Sequence, residues 1–80
     1  MPRITVAEFR HAVEDILGVS RGSLRDADSR DSIENWSSVA DVQLVALIAS
    51  ETGIEPDAEL IEAETVGDML RILELKGAFR

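Results

Sequence analysis

Two adjacent hydroxyls, Ser37 and Ser38, are the side chains of this chain best placed to do chemistry. They lie in "NWSSVAD", residues 35–41, after the only tryptophan and before an apolar run. A serine at a helix start can serve as the N-cap, accepting a backbone N–H two or three residues on, worth about 1 kcal/mol over alanine. Only one residue can hold that position, so one of the two hydroxyls is free of that job. It would stand in the positive field of the helix N-terminus, a place that favours phosphate. On pattern alone, two serines that simply mark a helix start are the plainer reading.

Little else in the chain suggests reactivity. His11 is the only histidine and there is no cysteine. The usual nitrogen and sulfur ligands for a metal are therefore missing, and a solvated or packing role is expected for His11. Carboxylates adjoin at Glu14 and Asp15, but no Ser–His–Asp spacing, glycine-rich phosphate loop or zinc pattern accompanies them. No metal site and no autonomous catalysis are expected.

Helices must position the serine pair. Thr5 and Glu8 have capping-box spacing, and Val6, Phe9, Val13, Ile16 and Leu17 form one apolar stripe. Gly18 and Val19 then supply the stop, so a helix is predicted near 5–17. A second is predicted near 37–52, closed by Gly53 and Ile54, and a short one near 57–63, starting at Asp57. Thr65 and Asp68 open a last helix near 65–76, with Val66, Met69, Leu70 and Leu73 as its stripe and Gly77 after it. No strand-like alternation or hairpin turn pair appears.

The fold class that follows is all-α: a small four-helix bundle with a long first loop and a short third helix, in one domain over residues 1–80. The connection over residues 18–36 exceeds the roughly 12–15 residues above which structureless loops become uncommon. Leu24, Ile33 and Trp36 are its expected anchors. A loop this long can carry the chain along the bundle, which suits up-and-down packing with one long crossover.

Helical-wheel arithmetic on residues 39–51 puts Leu44, Val45, Leu47 and Ile48 on one side. Val39, Gln43, Ala46, Ala49 and Ser50 fall on the other, with Val42 near the boundary. Small, mostly neutral residues facing outward would offer a partner a shallow surface. A helix buried on nearly all sides would also fit the pattern.

Charge narrows the partners. Sixteen acidic against eight basic residues leave a net charge of −8, and the pI is near 4.4. Nucleic acid and anionic membranes would be repelled, whereas basic proteins would be attracted. The carboxylates gather downstream of the second helix, at Glu51, Glu55, Asp57, Glu59, Glu62, Glu64 and Asp68, with no basic residue among them in the sequence. The longest apolar run, "LVALIA", is far too short to span a bilayer. No signal peptide is visible, and a cytoplasmic, monomeric protein is expected.

The stretch "NWSSVADVQLVALIASETGIEP" resembles the modification region of free-standing acyl carrier proteins, in which a serine opens the second helix of a four-helix bundle. The resemblance extends to "LGV" at the end of the first helix, the long loop, "GIEPD" after the second helix and "TVGDML" opening the last. Registration on "VQLVALI" aligns Ser38 with the family's phosphopantetheine-bearing serine. Ser37 falls where the family usually has Asp, and Val39 where it usually has Leu.

This resemblance implies that a phosphopantetheinyl transferase attaches phosphopantetheine from coenzyme A to Ser38. The arm's thiol would carry acyl or aminoacyl groups as thioesters for fatty-acid, polyketide or other specialised biosynthesis. A chain without cysteine would thereby acquire thiol chemistry. Loading and transferring enzymes would dock on Ser37, Val39, Gln43, Ala46, Glu55, Asp57 and Glu59. The usual Asp is associated with the transferase's metal-assisted chemistry, and Ser37 lacks that carboxylate. The alternative is an unmodified adaptor that keeps the fold and acts only through protein contacts. A peptidyl carrier domain is not favoured, because its Gly-Gly-His-Ser style motif is absent.

Overall fold

A computed structural model describes residues 4–80. It contains four helices: α1 (Val6–Leu17), α2 (Ser38–Thr52), α3 (Ala58–Ile61) and α4 (Val66–Leu75). Each begins one residue after the predicted start, because Thr5, Ser37, Asp57 and Thr65 are extended N-caps rather than helical residues. The third helix is shorter than predicted, ending at Ile61 rather than near residue 63. Among the described residues the only β pairing is two isolated bridges, Ile4 with Phe79 and Ser29 with Thr65.

The helix ends follow from their capping residues. At α1 the capping box is complete: Thr5 accepts from the Glu8 N–H, and the Glu8 carboxylate accepts from the Thr5 N–H at 2.9 Å. Gly18 takes the left-handed conformation, φ 70°, which glycine adopts without steric cost. The Val19 N–H then reaches the Glu14 carbonyl and the Gly18 N–H the Asp15 carbonyl, giving the Schellman pattern. At α4 only half of a box forms. Thr65 accepts from the Asp68 N–H, while the Asp68 carboxylate turns to Arg71.

One apolar core joins the elements. Phe9, Val13 and Leu17 of α1 meet Ala40, Leu44 and Ile48 of α2, Leu60 of α3, and Val66, Met69, Leu70 and Leu73 of α4. Val6, assigned to the α1 stripe from its spacing, is exposed instead, since it lies in the first turn at the rim of the core. Leu24 and Trp36 are buried anchors of the long connection, and Ile33 packs against the core from partial burial.

That connection is not slack. The Asp26 and Asp28 carbonyls accept from the Gly67 and Val66 N–H groups, both at 2.9 Å, so the loop covers the open first turn of α4. A Cβ on Gly67 would stand 3.1 Å from the Asp26 carbonyl oxygen, which explains a glycine inside the helix. On the α1 side, Glu14 is almost wholly buried, at 2% exposure, and accepts from the Leu24 N–H at 3.0 Å. The other Glu14 oxygen has no partner among the described residues.

Four buried or capping carboxylates should make the fold acid-sensitive, Glu8 among them, lowered by the Thr5 N–H. Burial alone would raise the pKa of Glu14. The backbone N–H groups of Gly22 and Leu24, with His11 and Arg10 nearby, outweigh it and hold the carboxyl below its ordinary 4.5. Asp28 is lowered by the Arg25 N–H and Asp57 by the Leu60 N–H, both from an ordinary 3.8. A carboxylate with a lowered folded-state pKa contributes stability above its unfolded value and loses it as pH falls through the folded one. The urea midpoint should therefore be level from neutral pH to about 5 and fall below that. Glu14→Gln should make this acid limb shallower. An unchanged limb would show that Glu14 is not one of its sources.

Candidate functional site

Ser38 is the first helical residue of α2, one position after the N-cap, and is exposed. Ser37 holds the N-cap position with extended backbone, yet its side chain makes no capping hydrogen bond. Of the two serines, Ser37 therefore takes the capping position, but without the hydroxyl bond that such a residue is expected to supply. The Ser37 carbonyl still starts the helix by accepting from the Asp41 N–H at 3.0 Å, while the exposed first turn leaves its other N–H groups to solvent. The result is a fifteen-residue helix with an open, electropositive N-terminus and an exposed hydroxyl on its first residue.

A polar clasp fixes this end of α2. The Trp36 indole N–H donates to Asp41 Oδ1 at 2.8 Å. Arg30 donates to both Asp41 oxygens, at 2.8 and 3.3 Å, and to the Ala63 carbonyl at 3.2 Å. The guanidinium carbon also lies 5.1 Å from the centre of a Trp36 ring, within cation–π range. Loop, α2 and the chain ahead of α4 are thus tied together two residues before and three residues after Ser38. Arg30 and Asp41 were not among the candidates drawn from the sequence. Their separation of eleven positions across an aperiodic loop leaves no spacing signal.

Beneath the clasp lies a cavity of about 30 Å³, bordered by Leu44, Val45 and Ile48 of α2, Leu60 and Ile61 of α3, and Met69 of α4. This is small beside the roughly 300–1,000 Å³ of ordinary small-molecule sites. Any chain inserted there would require α3 to shift, and α3 has only four residues.

The outer face of α2 is open rather than buried. Val39 is 66% exposed and Val42 69%, and Gln43, Ala46, Ala49 and Ser50 are exposed with them. Val42 therefore belongs to the outer face and not to its boundary. Val45, assigned to the inner side, is itself partly exposed beside the cavity. The reading of α2 as buried on nearly all sides fails, because only the stripe of Ala40, Leu44 and Ile48 is buried.

The acidic stretch is less bare in space than in sequence. Glu55 and Glu59 are exposed. Asp57, grouped with them for partner binding, is engaged internally: one oxygen caps α3 through the Leu60 N–H at 3.0 Å, and the other meets Lys76 Nζ at 3.1 Å. Arg71 similarly pairs with Asp68. His11 is part-buried on α1, and no group of metal-ligating side chains forms among the described residues. No helix among them is long and apolar enough to cross a membrane. No protein-family model, curated protein or solved structure matches the chain.

Proposed function

We propose that this chain is a carrier protein, phosphopantetheinylated on Ser38 from coenzyme A by a separate transferase. The arm would hold acyl or aminoacyl groups as thioesters for fatty-acid, polyketide or related biosynthesis. The observation that carries this reading is the exposed Ser38 hydroxyl on the first residue of a helix whose N-terminus no side chain caps. A phosphodiester formed there would meet free backbone N–H groups and the helix dipole. The residues present thus fit the group. When bound, it would supply the thiol that the sequence lacks.

The surroundings support the same assignment. The Trp36–Asp41–Arg30 clasp holds the helix start in place, so a transferase would meet a defined surface. Val39, Gln43 and Ala46 present a shallow, uncharged patch beside Ser38. The carrier itself performs no catalysis in this account. The exposed face also favours a second reading, an unmodified adaptor that binds proteins through Val39 and Val42. Intact-mass measurement after incubation with coenzyme A and a broad-specificity transferase separates the two. The carrier gains one phosphopantetheine, and the adaptor gains nothing with any of several transferases.

Docking should be steered by charge. Reversal of Glu55 and Glu59 to Lys is expected to slow association with a basic partner enzyme, while stability changes by about 0.5 kcal/mol or less per site. Added salt should reproduce the slowing, since screening acts over about 8 Å at physiological ionic strength. Stopped-flow association rates insensitive to both changes would reduce the acidic stretch to a solvated surface. Asp57 is left out of this test because its loss would also uncap α3.

A further inference from the structure

Outside its buried stripe, α4 leaves Leu75 open to solvent, with Ile72 half-buried against the core beside it. The buried stripe is Val66, Met69, Leu70 and Leu73. Asp68, Ile72 and Leu75 follow one another at helical spacing on another side, and Leu75 is 83% exposed, more than any other large apolar residue described. A shallow groove of about 350 Å³ runs there, floored by Ala63, Ile72 and Leu75 and rimmed by Glu59, Glu62 and Glu64. Its one cation, Arg71, is paired with Asp68. The three rim glutamates have no ion-pair partner among the described residues.

We propose that this groove is a docking surface, distinct from the α2 face, for a basic amphipathic helix of a partner protein. The argument is complementarity on two counts. Asp68 to Leu75 spans about 10 Å at 1.5 Å per residue, matching two turns of a partner helix. Apolar residues at three- and four-residue spacing on that helix would cover Ile72 and Leu75, and flanking Lys or Arg would meet the rim glutamates. A second copy of this chain is the wrong occupant, because it would set one acidic rim against another between chains of charge −8. Nucleic acid and anionic lipid are repelled for the same reason. The surface does not depend on Ser38 or on any group attached there.

The test uses the full-length chain, isotopically labelled, titrated with a synthetic helical peptide bearing leucines on one face and lysines on the other. A scrambled peptide of equal composition serves as the charge control. Amide shifts are expected at Glu62, Ala63, Glu64, Ile72 and Leu75, with binding at least tenfold tighter than for the scrambled peptide. Leu75→Glu, at an exposed position that should not disturb folding, is expected to weaken binding at least tenfold. Ser38→Ala should leave it unchanged. Shifts centred on Val39 and Val42, equal binding of the scrambled peptide, or no effect of Leu75→Glu would each overturn the proposal. So would concentration-dependent self-association through the same residues.

Discussion

Phe9→Ala should leave most of the chain unfolded at room temperature. Phe9 is fully buried, and its ring meets Phe79 edge-on at 5.4 Å between centroids, joining α1 to the end of the chain. Deleting a buried phenylalanine costs about 3–5 kcal/mol in lost burial and residual cavity. A single core of this size supplies a net stability of only about 3–5 kcal/mol. There is no disulfide to limit the loss. Far-UV circular dichroism should show most of the helical signal gone before any denaturant is added. A cooperative urea transition with a midpoint near that of the unaltered protein would show that the core is not organised around Phe9.

Ser38→Ala is expected to abolish phosphopantetheine attachment while leaving helix content unchanged. The Ser38 side chain is exposed, and alanine is a strong helix former, so the fold has no reason to respond. Ser37→Ala should retain attachment. Because the Ser37 hydroxyl makes no capping bond, its removal should cost well below the roughly 1 kcal/mol of a working N-cap. Ser37→Asp should act twice, supplying a cap for the open N-terminus and a carboxylate beside the modified hydroxyl, and attachment should be faster. Transferase assays read by intact mass, paired with urea titrations, follow both effects. Attachment surviving in Ser38→Ala would move the handle elsewhere.

The helices were legible in the sequence because their signals are local. Thr5 with Glu8 and Thr65 with Asp68 mark starts, Gly18, Gly53 and Gly77 follow ends, and the stripe of α4 is buried as its spacing predicts. The outward side of α2 was legible only in part: Val39, Gln43, Ala46, Ala49 and Ser50 are exposed as sorted, while Val42 and Val45 are more exposed than the wheel implied. What spacing could not reveal were contacts made across the long connection. The Arg30–Asp41–Trp36 clasp, the buried Glu14 beneath Leu24 and the pairing of Asp57 with Lys76 each join residues brought together only by folding. Charge counts along the chain likewise could not show the partners of Asp57, which is exposed as the acidic run implies. Its carboxylate reads as part of an exposed acidic run, but its oxygens are committed to a helix cap and a lysine. Ser37 fails in the opposite direction, since it has a capping residue's identity and position without the bond.

The most direct test of the carrier assignment is fragment mass mapping of the unaltered chain after reaction with coenzyme A and a phosphopantetheinyl transferase. The account predicts one phosphopantetheine per chain, with fragment ions placing it on Ser38 and leaving Ser37 unmodified. A group mapped to Ser37, or a chain unchanged in mass with several transferases, would contradict it.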